Sequence, residues 1–218
     1  MRNTHAAMPV KKTAPSIDTT TEEKIKAAAH AVFRRKGFAA TRTRDIADEA
    51  KINLALLNYY FRSKQKLFEL IMFETVTGFI NNMQTVFNDA STSLERKIQL
   101  VAERYIDLFI ADPEIPLFIM SELRNPDLEI LQKLPALHVI LKSTFILQYK
   151  NAVVSGKITE PNPLHFLMNL MGLTIFPFIG SPMLKKLGKL TNREFDALMQ
   201  ERKKLIPVWI KAMSRAKY

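Results

Sequence analysis

Apolar residues recur at three- and four-residue intervals along almost the whole chain, and no stretch alternates with a period of two. That pattern predicts an all-α protein. The first periodic segment is Glu22 to Lys36, where Ile25, Ala28, Ala29, Val32 and Phe33 share one helical face. Thr20 and Glu23 have capping-box spacing at its start, and Gly37 is placed to end it. A short second helix is expected from Arg44 to Ala50, with Ile46, Ala47 and Ala50 inward, followed by a connection through Lys51, Ile52 and Asn53. A third short helix runs from Leu54 to Tyr60 with Asn53 as its N-cap. Ser63 then opens a long fourth helix, Lys64 to Phe87. Further helices are expected over Ser93–Ile110, Ile115–Leu123, Asp127–Leu134, Leu137–Val154, Pro163–Phe178 and Arg193–Ser214, with Pro and Gly between them.

Two short helices joined by a three-residue turn, on a supporting first helix, make a helix-turn-helix. The second short helix must be slender enough to enter a major groove about 12 Å wide. Ala47 lets the two helices cross closely, and Ile46 and Ile52 anchor the pair on the first helix.

The run Gly37-Phe38-Ala39-Ala40-Thr41, the string Arg44-Asp45-Ile46-Ala47, the turn Ala50-Lys51-Ile52-Asn53 and the segment Asn58-Tyr59-Tyr60-Phe61-Arg62-Ser63-Lys64 with Leu67 together resemble the signature of the TetR family of transcription regulators. The closest likeness is to the subgroup with Asn-Tyr-aromatic-Phe before Ser-Lys. The resemblance covers about residues 22–70 and is only architectural beyond them. It implies three units: a disordered basic tail over 1–18, a helix-turn-helix DNA-binding domain over 19–66, and a helical effector-binding and dimerisation domain over 67–218. The implied activity is that of a ligand-responsive repressor, released from its operator by a small apolar or amphipathic effector. The implied partners are double-stranded operator DNA, a second copy of the chain as a homodimer, and a small-molecule effector of unknown identity. An alternative stays open, a DNA-binding scaffold controlled by protein partners without a small ligand.

The resemblance carries over by position. Asn53 to Tyr60 matches the recognition helix, with Leu54, Ala55, Leu56, Asn58 and Tyr59 as groove-facing candidates. Asn58 suits adenine, and Leu54 or Ala55 suits a thymine methyl. Tyr60 and Lys64 match phosphate-contacting positions, and Arg42, Thr43 and Arg44 lie where further backbone or base contacts are made. Two departures stand out: Lys51 occupies a turn position usually held by glycine, and Arg42 replaces the Ser or Thr that often caps helix two. Plainer roles stay open: Tyr59 or Tyr60 as a core aromatic, Lys64 as a helix-start cation, and Leu54 and Leu56 as a staple against helix one.

Composition and charge agree with this picture. The 218 residues are 47% hydrophobic and 24% charged, with only 6 glycines, which favours helices around a substantial core. Net charge is +11 and unevenly placed: Met1–Lys66 holds 14 Lys and Arg against 6 Asp and Glu, the remainder 18 against 15. Such a cationic segment suits a polyanion, nucleic acid or an anionic membrane surface. The helix-turn-helix already uses both faces of helix one, which argues against the membrane. No cysteine is present, which removes disulfides, thiolate metal sites and cysteine nucleophiles and fits a cytoplasmic protein. The greasiest stretch, Leu164 to Ile179, is short and broken by Asn169, Gly172 and Pro177, and residues 1–18 lack the apolar region of a signal peptide. His5, His30, His138 and His165 are scattered, and no phosphate loop or nucleophile elbow appears. Neither an enzyme nor a cofactor or metal is expected.

In the larger domain, Phe109, Phe118, Met120, Phe145, Met168 and Met171 are candidate pocket residues, because Met and Phe adapt to irregular space. Most such residues must nonetheless be ordinary core. Phe166 and Leu170, with Leu198, Leu205 and Trp209, are candidates for a four-helix bundle between subunits, intrachain core being the alternative.

Overall fold

A computed structural model of the protein describes residues 19–123 and 140–216. The tail expected over 1–18, the helix expected over Asp127–Leu134, the first residues of the helix expected from Leu137, and His138 lie outside them. Among the described residues there are ten helices and no strand. They are α1 (Thr19–Ala40), α2 (Thr43–Ala50), α3 (Leu54–Tyr60), α4 (Lys64–Asn88), α5 (Leu94–Ala111), α6 (Ile115–Leu123), α7 (Thr144–Val154), α8 (Pro163–Ile179), α9 (Ser181–Gly188) and α10 (Asn192–Met213).

Helix α1 buries Ile25, Ala29, Val32 and Phe33 without residual exposure, the face its periodicity marks out. It is already helical at Thr19, so Thr20 lies inside the first turn and not at a cap. Gly37, at φ 75 and ψ 162, breaks the helix where only glycine sits without penalty, and a single further turn leads to Thr41. A β-carbon at Gly37 would also stand 2.9 Å from Oε1 of Glu114, the residue just before α6.

Helix α4 runs unbroken from the head into the body, through the domain boundary expected at residue 66. Phe68 sits at that passage, edge-on to Phe33 (centroids 5.1 Å) and to Phe118 of α6 (6.1 Å), and packed on Phe38 at 4.7 Å. The far end of α4 is pinned by Lys97 of α5, fully buried, whose Nζ donates to the Phe87 carbonyl at 3.1 Å. A cation at a helix C-terminus meets the negative end of the dipole. Burial pushes the Lys97 ammonium below its ordinary value, and the nearby Asp89 carboxylate opposes that shift. Asp89 itself is held down at about 2 by hydrogen bonds from the Ser91 and Thr92 hydroxyls.

In the body, α5 packs against α8 and α10. Helix α8 contains Pro177, which has no N–H for the Leu173 carbonyl four residues earlier. Arg202 of α10 donates to that carbonyl at 2.7 Å, and its guanidinium lies 4.9 Å from the Trp209 ring centroid. The sequence pattern missed α9, because Gly180 and Pro182 read as punctuation. Pro182 instead takes a first-turn position, which proline tolerates. The helix expected over Leu137–Val154 is interrupted: residues 140 and 141 are helical, the chain turns at Lys142, and α7 starts at Thr144 with buried Ser143 as an extended N-cap.

Candidate nucleic-acid interface and ligand cavity

The head is built around the turn between α2 and α3. Lys51 adopts the left-handed conformation (φ 55, ψ 44), as a glycine at that position would. Lys51 N–H donates to the Asp48 carbonyl at 3.1 Å and Ile52 N–H to the Ala47 carbonyl at 3.0 Å, a Schellman closure of α2. Asn53 then caps α3, its Oδ1 accepting from Leu56 N–H at 2.7 Å. At the start of α2, Arg42 is the N-cap, but a guanidinium has no acceptor to offer. Asp45 compensates by accepting from Arg42 N–H at 2.9 Å while pairing with Lys36 at 2.9 Å. The Arg42 backbone bond, then Lys36, holds the Asp45 carboxyl below its usual range. The Thr41 hydroxyl, one residue earlier, donates to the Gly37 carbonyl at 2.7 Å.

Within α3 only Leu57 is fully buried, sealing the helix to the head core. Ala55, Leu56, Asn58 and Tyr59 lie on the outside, Leu56 36% and Tyr59 50% exposed. The Tyr59 and Tyr60 rings meet edge-on at 5.4 Å. Arg42, Arg44, Asn53, Lys51 and Arg62 are exposed on the same small domain, and Thr43 is half-buried.

Three of the candidates in the head also have partners within it. Leu54 is half-buried and packs on the core, so its side chain belongs mainly to the staple. Tyr60 likewise packs partly against the core. Lys64 is not an outward cation: its Nζ donates to the Phe38 carbonyl at 2.9 Å and the Thr41 carbonyl at 2.8 Å, and sits 4.2 Å from the Phe38 ring centroid. Those carbonyls end the α1 segment and leave orphan acceptors, which a nearby ammonium satisfies.

The head is also tied to the body away from α4. Buried Asp112, following α5, accepts from Arg34 Nε at 3.1 Å and faces His30 Nε2 at 3.0 Å, while Arg34 Nε also donates to the Ala111 carbonyl at 2.8 Å. Lys26 pairs with Glu74 of α4 at 2.8 Å. The scattered histidines gave no hint of this junction in sequence.

A cavity of about 340 Å³ opens between α4, α5, α7 and α8. Phe145, Met168 and Met171 are on its wall, joined by Ile80 and Phe87 of α4 and by Tyr105 of α5. The other pocket candidates are elsewhere. Phe109 is fully buried between Tyr105 and Phe178, Phe118 fills the joint against Phe68, and Met120 is on the α6 surface. Sequence reading missed Tyr105; its one signal was a hydroxyl on the inward face of α5, between Val101 and Phe109.

Among the interface candidates, Phe166 and Leu170 are 3% and 1% exposed and so belong to the core of their own chain. Trp209 is half-buried beneath Arg202. Leu198 and Leu205 are open on α10, with Val208 beside them. On α8 the four-residue spacing of Leu164, Met168, Gly172 and Phe176 places an exposed stripe on one face.

A braced short helix showing its outer face to solvent, closed by a capped turn, defines a helix-turn-helix DNA-binding protein. Residues 25–71 match the family model described as bacterial regulatory proteins, tetR family. Residues 25–71 therefore carry the DNA-binding domain of that family, and the whole chain is similar to transcriptional regulators. It is 25% identical over 206 residues to the HTH-type transcriptional regulator YttP of Bacillus subtilis, covering 90% of this chain and 95% of that protein. It is 27% identical over 133 residues to the fatty acid metabolism regulator protein of Bacillus subtilis, covering 61% of this chain and 63% of that one. The fold matches that of the transcriptional regulator FadR from Bacillus subtilis in complex with stearoyl-CoA, at a TM-score of 0.52 and 20% identity, covering 85% of this chain and 97% of that one. Among the described residues no helix is by itself long and apolar enough to cross a membrane, and no cluster of His, Cys, Asp or Glu suits a metal.

Proposed function

We propose that the protein is a homodimeric repressor that reads operator DNA with α3 and lets go when a small apolar or amphipathic effector fills the cavity. The observation that carries this is the course of α4, which starts at Lys64 beneath α3 and supplies Ile80 and Phe87 to the cavity wall. One rigid helix therefore touches both the head and the ligand space.

In this reading Asn58, Ala55 and Leu56 meet base edges, Asn58 pairing with adenine. Arg42, Thr43 and Arg44 meet the sugar-phosphate backbone, Tyr59 and Tyr60 flank the groove, and Asn53 donates with the amide its cap leaves over. The exposed stripes of α8 and α10 close on a second copy, which sets the two recognition helices at successive major grooves, roughly 34–36 Å apart. Leu164 and Met168 belong both to the cavity rim and to the α8 stripe, so an occupant and a partner protomer would act on the same helix. A ligand that binds better to a wider dimer then shifts the population away from the DNA-bound form. The relatives named for fatty acid metabolism and for stearoyl-CoA support an apolar effector.

The test is retention of genomic fragments by the purified protein in a mobility-shift titration at several salt concentrations. A steep fall of affinity with salt and recovery of one recurrent palindrome are expected. Failure to retard any fragment at low ionic strength overturns the reading.

A further inference from the structure

We infer that the cavity selects a neutral amphiphile, an aliphatic chain carrying one uncharged hydrogen-bond acceptor that seats on the Tyr105 hydroxyl, and that it refuses a free carboxylate. This rests on the reading of the cavity as the effector site. Among the described residues no lining side chain is charged, and Tyr105 supplies the one lining hydroxyl. Its ring is fixed edge-on between Phe79 (4.6 Å) and Phe109 (5.7 Å).

The Tyr105 side chain is half-buried and opens on the cavity it lines, and its hydroxyl has no hydrogen-bond partner among the described residues. A hydroxyl without a protein partner on an otherwise apolar wall stands ready for one. Burial pushes the phenol up to about 12, so it stays protonated and offers its proton to an acceptor. An unpaired carboxylate against this wall would be stripped of water with no cation among the described lining residues to meet it, at several kcal/mol. The buried ammonium of Lys97 does not serve, because it is tied to the Phe87 carbonyl and lies outside the lining. At about 340 Å³ the space is at the small end of the ~300–1,000 Å³ typical of small-molecule sites, which suits a medium-length chain.

The experiment uses the full chain and the neutral fluorophore N-phenyl-1-naphthylamine, displaced by methyl decanoate or by sodium decanoate at neutral pH. The ester is expected to displace the fluorophore at concentrations about tenfold or more below the carboxylate. Tyr105→Phe should weaken the ester about 3- to 10-fold, the worth of one hydrogen bond, while fluorophore affinity and melting temperature hold. Equal displacement by both ligands, or an unchanged ester affinity in Tyr105→Phe, overturns the inference and leaves the cavity reading standing. The cavity reading is tested separately by filling the space with Leu167→Trp, or Met171→Trp if the first does not fold. Fluorophore binding undiminished in the folded variant overturns that reading.

Discussion

Two surfaces of the protein leave apolar side chains in the open, and they are unlike. On α3, Leu56 and Tyr59 are interleaved with Asn58 and ringed by Arg42, Arg44, Lys51 and Arg62. On α8 and α10, Leu164, Met168, Phe176, Leu205 and Val208 form longer stripes, with Gly172 leaving a gap in which nothing lies within 4 Å of a notional β-carbon. Apolar groups amid cations suit a partner that is itself anionic with apolar base edges, and the salt dependence of binding should report it. A continuous apolar stripe larger than solvent tolerates suits a second protein surface, and a repeated chain supplies the same stripe. The difference predicts that substitutions on one surface change DNA affinity directly, and on the other only through assembly.

The largest effect should come from Val208→Glu, which is 62% exposed in the single chain and therefore harmless to its core. In a two-fold interface the charge is buried twice without a partner. The dimer dissociation constant, read by sedimentation at graded concentration, should rise about a thousandfold, ~4 kcal/mol. Operator affinity should fall with it while the melting temperature of the monomer stays put. A dimer of unchanged strength would remove α10 from the interface.

Next comes Lys64→Met, which keeps the aliphatic stem and deletes the two hydrogen bonds to the Phe38 and Thr41 carbonyls. Charged hydrogen bonds are worth about 1.5–3 kcal/mol each when buried, and half-burial here brings the expected loss of folding stability to about 1–2 kcal/mol. Arg44→Ala, fully on the outside, should leave stability alone and lower the salt slope of DNA binding by about one. If Lys64→Met instead reproduces the Arg44→Ala signature with no change in denaturation midpoint, Lys64 serves DNA and not the head.

Asn58→Ala sharpens the same surface without touching the fold, since Asn58 is exposed mid-helix. It should cost about 1–3 kcal/mol at one base position and nothing at scrambled sequences. Uniform weakening across all sequences would make Asn58 a backbone contact.

The head was largely legible because its instructions are local. Asn53 as cap and Ala47 at the crossing each follow from neighbours within a turn or two. The partners of Lys64 were hidden for the opposite reason: they are 26 and 23 residues away, and spacing alone does not show which way a long side chain turns. The body follows the same rule at greater cost. Helical periodicity marks Phe166 and Leu170 as apolar, yet on a helix greasy on most sides it does not tell the face toward its own core from the face toward a neighbour. Tyr105 became visible only when four helices from distant parts of the chain were seen to enclose one space.

The smallest expected effect has the opposite sign. Lys51 holds a left-handed backbone at φ 55 with its side chain in solvent, so nothing in its contacts offsets the strain. Lys51→Gly removes a β-carbon that sits too close to the following carbonyl, a relief of roughly 1 kcal/mol, less what the freer unfolded chain takes back. The denaturation midpoint of the head should therefore rise slightly. Because Lys51 also contributes an outward cation beside α3, DNA binding should weaken while stability improves. A family turn that favours glycine would then have kept a lysine for its charge. Improved stability together with unchanged salt dependence would instead place Lys51 beyond reach of the phosphates and confine the DNA-facing surface to α3 and the start of α2.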